Sequence, residues 1–346
     1  MTHRLSRTFQ TAPAAVPRED SAKYLRSGLT AEGFQTPDWL VPDLEDGTAP
    51  DMKSEGLENL LELLPEYAPD FEGTIWPRVQ WDCDRPETTA RGREEIETIV
   101  TEAGEYIDGV VIPKVGRLTD VEGALGTVEK AERDGGLEDG STEVAPIVET
   151  ARARSDLREI ATLGVDDRLA GLVFGPVDYA AELGGQAIGE GSPAWSGLLE
   201  ELSNEAAAND IVAIGGPFDR LYAERAGVTY FNAEGYATQI EHEAAVGLDG
   251  SWSLHPKQTT MANRIHMPSP EELRRDVSRI ERFHEARSGG TGAVTVDGQM
   301  IDEATYRNFR NTVETALRIH ERHPEQAETV YDRTLLERAL DLEAYR

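Results

Sequence analysis

The stretch LAGLVF at residues 169–174, followed at once by Gly175-Pro176-Val177-Asp178, decides the fold. Nearly continuous apolar residues without polar alternation read as a strand covered on both faces, as in parallel sheets. The same kind of run recurs at 11–16 (TAPAAV), 39–44 (WLVPDL), 74–80 (TIWPRVQ), 107–112, 143–148 (EVAPIV), 210–214 (DIVAI) and 250–254 (GSWSL). Longer amphipathic stretches separate them, at 20–28, 52–65, 91–103, 119–133, 150–162, 196–208 and 233–246. In the second of these, Leu57, Leu60, Leu61 and Leu64 fall on one face of a helix. Eight strands with intervening helices predict an α/β fold of the (β/α)8 TIM-barrel type. A doubly wound open sheet is the alternative, but no GxGxxG follows any strand.

The 346 residues suit a barrel of ~250 residues plus an appendage. Residues 270–287 read as a charged helix, and SGGTGAVTVDGQ at 288–299 as a glycine-rich hinge. Residues 302–323 read as a polar helix. The tail, 324–346, is charged, and its composition is compatible with either order or disorder. The expected division is therefore a catalytic barrel over 1–287 and a C-terminal lid or arm over 288–346, closing on a site or reaching a neighbouring subunit.

Asp and Glu number 65 against 34 Lys and Arg, a formal charge of −31 that argues against nucleic acid or an anionic bilayer as partner. The apolar runs are strand-sized, far short of the ~20 residues that span a membrane, and residues 1–20 contain no apolar signal core. A soluble, cytoplasmic protein is expected. Its acids are dispersed and its lysines reduced to Lys23, Lys53, Lys114, Lys130 and Lys257, which suits a surface adapted to molar salt. The single cysteine, Cys83, excludes an internal disulfide and any multi-cysteine metal site.

In a barrel, the residues ending the strands converge on one mouth. Those ends carry Asp43-Leu44-Glu45-Asp46, Arg78, Lys114, Glu149, Asp178 and Ser253-Leu254-His255. Glu149 and Asp178 form the best carboxylate pair, an oxygen-ligand set suited to Mg²⁺ or Mn²⁺. Either could instead cap the following helix. Arg78 lies inside a strand, where a guanidinium requires an anionic partner. That partner is either a structural carboxylate such as Asp46 or a substrate carboxylate gripped bidentately. Lys114 raises a Schiff-base alternative, against a salt bridge to the acid-rich mouth. His255 as a base competes with a purely hydrogen-bonded role. Nothing places a histidine beside Cys83 to activate it.

Seven segments together resemble the citrate lyase β-subunit-like enzymes, and within them the malyl-CoA and β-methylmalyl-CoA lyases. They are PDLEDGTAP (42–50), RVQW (78–81), DGVVIPKVG (108–116), PIVETARA (146–153), LVFGPVDYAAELG (172–184), GLDGSWSLHPKQ (247–258) and GAVTVDGQMID (292–302). The acidic composition looks haloarchaeal. The resemblance implies a barrel that assembles as a homotrimer or homohexamer and cleaves malyl-CoA or β-methylmalyl-CoA to glyoxylate and acetyl- or propionyl-CoA, with Mg²⁺ or Mn²⁺. It implies Glu149 and Asp178 as metal ligands and Arg78 as the substrate-holding residue. Asp43, Glu45 and Asp46 would orient Arg78 and hold the metal's water. Asp302, with Asp297 as second choice, would act as proton donor in a neighbouring subunit's site, its carboxyl raised by burial. Val16, Arg26 and Val177 would meet the coenzyme A thioester, with Ser253 and Leu254 lining its pocket. Pro17-Arg18-Glu19-Asp20 departs from the glycine-rich turn usual in the family. A malate synthase that also hydrolyses the thioester, and a non-catalytic acyl-CoA-binding protein, are the competing readings.

Overall fold

The structure, a computed structural model, describes residues 4–166, 168–185, 195–225, 227–288, 293–296 and 298–343. It contains two compact units, Met1–Ile265 and His266–Arg346.

In the first unit, the described residues form eight parallel strands: β1 (Thr8–Pro13), β2 (Trp39–Asp43), β3 (Thr74–Ile75), β4 (Gly109–Ile112), β5 (Glu143–Val148), β6 (Gly171–Phe174), β7 (Val212–Ile214) and a last one at Ser251–Ser253. The helices between them are α1 (Lys23–Leu29), α2 (Lys53–Tyr67), α3 (Pro86–Ala103), α4 (Leu118–Gly135), α5 (Ala151–Ser155), α6 (Leu157–Ala161), α7 (Pro176–Glu182) and α8 (Ser196–Ala208). An antiparallel hairpin, β8 (Tyr222–Arg225) and β9 (Val228–Phe231), then precedes α9 (Ala233–Ala245). The eighth barrel strand is thus β10 (Ser251–Ser253), followed by α10 (Pro256–Ile265).

The ladders form two four-stranded sheets, ordered β10-β1-β2-β3 and β4-β5-β6-β7. Isolated parallel bridges join them at both seams: Arg78 pairs with Asp43 and Val111, and Ile214 pairs with Gly250. Pairing therefore runs once around all eight strands, as the expected barrel requires. The third strand is shorter than the 74–80 run suggested because neither Pro77 nor Pro42 on β2 has an N–H to donate. Regular pairing therefore ends at Ile75 and only single bonds continue, Trp76 N–H to Leu40 O and Arg78 N–H to Pro42 O at 2.8 Å each. The 150–162 stretch forms two short helices instead of one, and the 222–231 hairpin was not foreseen.

Two-residue alternation sorts each strand into an outer and an inner side. Leu40, Val110, Ile112, Val144, Val148 and Leu172 pack outward, in the same core as Leu60, Ile96, Val128 and Leu202 of the helices. Phe9, Trp39, Val41, Trp76, Val111, Ala145, Ile147, Val173, Ile214 and Trp252 form a separate inner cluster. Trp39 and Trp76 stack there with centroids 4.0 Å apart. The same alternation carried two residues on from Val41, Trp76 and Ile147 puts Asp43, Arg78 and Glu149 on the inner side at the strand tips.

In the second unit, α11 (Pro270–Ser288) buries Leu273, Val277, Ile280 and Phe283. A hairpin of β11 (Val294–Val296) and β12 (Gln299–Ile301) leads into α12 (Glu303–Arg322), α13 (Pro324–Val330) and α14 (Arg333–Glu343). The described part of the tail forms α13 and α14, with Tyr331, Leu335, Leu336 and Ala339 buried. Sequence grouped 270–287 with the barrel; in the structure α11 belongs to the C-terminal unit, because its apolar face packs on α12 and α14.

Candidate active site

Asp43 ends β2, and its carboxylate is fixed by the chain that turns away from the strand: Glu45 N–H donates to Oδ1 (2.9 Å) and Gly47 N–H to Oδ2 (2.8 Å). Glycine is needed at 47 because a Cβ there would sit 2.2 Å from that Oδ2. Arg78 completes the arrangement with a two-pronged grip, Nε to Oδ1 at 2.8 Å and Nη2 to Oδ2 at 2.5 Å. Its Nη1 lies 3.3 Å from Glu45 Oε2, and its guanidinium stands over the Trp252 ring at 5.6 Å. Burial alone would lower the Arg78 pKa, but the charges of Asp43, Glu45 and Glu149 outweigh it and hold the residue fully protonated. The anionic partner of Arg78 is thus a structural carboxylate, Asp43, one of the three acids the resemblance gave for orienting it, and not the example Asp46. Asp46 lies beyond the strand and accepts from Lys114 Nζ at 2.8 Å.

Lys114 also donates to Glu45 through Nζ. Desolvation works against its charge, but Glu45 and Asp46 raise its pKa above the ordinary lysine value. Burial raises Glu45, with Arg78 and Lys114 opposing. Burial would also raise Asp46, but the bond and charge of Lys114 prevail and leave it low. A lysine so paired is poorly suited to Schiff-base chemistry, which requires the neutral amine.

Glu149 ends β5, is 4% exposed, and accepts the Lys114 main-chain N–H on Oε1 at 2.7 Å. Burial, then the nearby Asp178 charge, pushes its carboxyl up to about 8. Asp178, in the first turn of α7, makes no hydrogen bond or ion pair among the described residues. Gly175 keeps this corner open, since a Cβ there would lie 2.3 Å from Glu149 Oε2. Two carboxylates brought together at a buried strand end repel each other unless a cation or proton intervenes. The all-oxygen donor set fits a hard divalent ion such as Mg²⁺.

The remaining expected positions are less central. Val16 N–H donates to Ser21 O (3.0 Å) and Arg18 N–H to Val16 O (2.8 Å), so the turn after β1 forms without glycine. Arg26 grips Asp20 at 2.7–2.8 Å on the surface. Val177 and Leu254 are exposed, whereas Ser253 is buried with its hydroxyl 2.9 Å from that of Thr259. The His255 ring accepts the Lys257 N–H at 3.0 Å; burial and Lys257 lower its pKa, consistent with a structural role. Burial pushes the Cys83 thiol up to about 11, so it is no nucleophile at neutral pH. Asp302 caps α12 in the second unit, accepting from Thr305 N–H (2.9 Å) and Oγ1 (2.8 Å). Those bonds hold its carboxyl below the usual range, opposite to the raised value expected. Asp297 lies outside the described residues.

Fold and mouth together define a barrel enzyme of the aldolase type. A model of the HpcH/HpaI aldolase/citrate lyase family matches residues 28–256, and the chain belongs to that family. It is 61% identical over 340 residues to the L-malyl-CoA/β-methylmalyl-CoA lyase of Haloarcula marismortui, covering 98% of both proteins. It is 37% identical over 271 residues to the malate synthase of Haloferax volcanii, covering 76% of this chain and 60% of that protein. The magnesium/glyoxylate complex of that malate synthase matches 97% of this chain with a TM-score of 0.69 at 32% identity. A Burkholderia xenovorans citrate lyase, 20% identical with a TM-score of 0.73, shares the fold.

Proposed function

We propose that this chain catalyses the reversible aldol cleavage of malyl-CoA and β-methylmalyl-CoA to glyoxylate and acetyl-CoA or propionyl-CoA. It is a carbon–carbon lyase. What favours a lyase over a malate synthase is identity: 61% to the haloarchaeal lyase over 98% of both proteins, against 37% to the malate synthase over 76% of this chain.

Glu149 and Asp178 would hold Mg²⁺ or Mn²⁺, which when bound polarises the hydroxyl and carboxylate of the malyl group. Arg78 is oriented by Asp43 without being used up. Two of its five N–H groups bond Asp43, which leaves donors on Nη1 and Nη2 for the thioester oxygen. As the malyl hydroxyl gives up its proton to solvent and the C–C bond breaks, the bond's electron pair becomes an enolate on the thioester oxygen, and the fixed guanidinium stabilises the charge. Preorganised donors of this kind are worth about 3–4 kcal/mol each. Lys114 opposes the rise that burial imposes on Glu45 and favours the charged form of Asp46.

Asp302, contributed by a neighbouring copy in a homotrimer or homohexamer, then protonates the enolate carbon. In the condensation direction it removes the same proton. Its bonds to Thr305 suit the base; acting as acid requires burial in the closed site to outweigh them. Among the described residues no helix is long and apolar enough to cross a membrane, and the partners of this reading are acyl-CoA and glyoxylate.

Product analysis in molar KCl, the medium the acid-rich surface suits, tests this reading. With Mg²⁺, malyl-CoA is expected to give glyoxylate and intact acetyl-CoA, and EDTA to abolish turnover. Stoichiometric free CoA would instead indicate a malate synthase. Activity that resists EDTA, with borohydride trapping substrate on Lys114, would establish the Schiff-base route.

A further inference from the structure

We infer that Lys114 is a positioning residue that sets the mouth through two separate devices: a left-handed backbone that aims its N–H at Glu149, and an ammonium that ties Glu45 to Asp46. The inference rests on the reading of Glu149 and Asp178 as ligands of a divalent ion.

Lys114 has φ +46°, and among the described residues only it and Asp210 are non-glycines with positive φ. Side chains with a Cβ rarely adopt this conformation, and glycine adopts it freely. If the turn after β4 required only its backbone shape, glycine would serve better. If the mouth required only a cation, ordinary backbone would serve. Lysine in a left-handed conformation satisfies both needs at once.

The peptide is pinned from two sides. Its N–H donates to Glu149 Oε1 at 2.7 Å, and its carbonyl accepts the Cys83 N–H at 3.1 Å, linking the chain beyond β3 to the tip of β5. The preceding Pro113 has no N–H, so Lys114 supplies the first main-chain donor after β4. That donor fixes one oxygen of Glu149. The side chain reaches the opposite way, to Glu45 and to Asp46 Oδ2 at 2.8 Å, beyond the tip of β2. Glu45 also lies 3.3 Å from Arg78 Nη1. One residue just beyond β4 therefore sets carboxylates that follow the second and fifth strands on either side of Arg78.

The two devices separate by substitution. K114G keeps the left-handed backbone and deletes the ammonium. K114V deletes the ammonium and disfavours the backbone, because a β-branched residue at positive φ is strained. Comparing these two cancels the charge change and isolates the N–H. Binding of Mn²⁺ alone, followed by electron paramagnetic resonance without substrate, is expected to be about tenfold weaker in K114V than in K114G. Steady-state kinetics of K114G with Mg²⁺ should show kcat reduced at least about 30-fold with KM within about threefold, and K114R should recover most of that loss.

Equal Mn²⁺ affinity in K114G and K114V would overturn the backbone role. Wild-type kcat in K114G would overturn the ammonium role. If K114V fails to fold, K114A and K114N make the same comparison, since asparagine tolerates the left-handed region better than alanine; equal affinities there overturn the backbone role equally. E149Q is the separate control: it should lose Mn²⁺, and wild-type affinity in that variant would refute the metal assignment itself, whatever the Lys114 variants do.

Discussion

Glu243→Gln should stabilise the protein by about 3 kcal/mol at pH 8 and by little at pH 4. Glu243 sits on α9, 2% exposed, at the seam where β7 meets β10. It accepts from Ser251 Oγ at 2.5 Å and Gln239 Nε2 at 3.0 Å, and from the Gly216 N–H. Gly215 passes so close that a Cβ there would lie 2.1 Å from the Glu243 carboxyl carbon. Burial outweighs these bonds and pushes the carboxyl from 4.5 to about 7. A carboxyl raised from 4.5 to about 7 loses about 3 kcal/mol of folding free energy when it is ionised.

The folded protein binds this proton more tightly than the unfolded chain does. The stability it contributes is therefore complete below about pH 4.5, declines as pH rises towards 7, and is fully lost above that. Glutamine keeps the neutral shape, and its amide can donate to Ser251 Oγ, so the variant escapes the decline. Urea melts of wild type and variant at pH 4, 6 and 8, in constant molar KCl, give the difference directly. Other acids titrate equally in both and cancel. A difference independent of pH, or a variant less stable at pH 8, would refute the reasoning.

Three further outcomes are expected. Arg78→Lys keeps the charge but loses the planar grip on Asp43, so kcat should fall about 10²–10³-fold, measured by acetyl-CoA release. Gly175→Ala places a methyl where Glu149 Oε2 now lies, and calorimetry should show Mg²⁺ binding weakened at least about tenfold while circular dichroism is retained. Asp302→Ala should leave Mg²⁺ affinity unchanged and reduce turnover by orders of magnitude; near-normal turnover would remove Asp302 from the proton-transfer role.

Much of the site was legible because it lies at strand ends that local pattern marks. The apolar runs ending at Val148 and Phe174 point directly to Glu149 and Asp178. Arg78 stood out as a charge within a strand. The residue pattern alone left its partner open between Asp46 and a substrate carboxylate, because the cluster Asp43-Leu44-Glu45-Asp46 offers three acids, whereas the family resemblance names Asp43 among the groups that orient Arg78. Alternation from Trp39 and Val41 selects Asp43, a signal that was present and unused. The 222–231 hairpin was missed because its strands are too exposed to show an apolar run: Tyr222, Val228 and Tyr230 all face solvent. The order of the tail was undecidable because Tyr331, Leu335 and Leu336 are buried only in the folded C-terminal unit.

Sequence by itself determined the number and order of the eight barrel strands, most of the helices between them, and the residue types brought to the mouth. Those features follow from the period of apolar residues, which records burial one short segment at a time. Tertiary structure alone decided which groups pair: Arg78 with Asp43 across 35 positions, Lys114 with Glu45 across 69, and Lys114 N–H with Glu149 across 35. Hydrogen bonds need a fit within tenths of an ångström, and that fit exists only once the strands have closed their circuit.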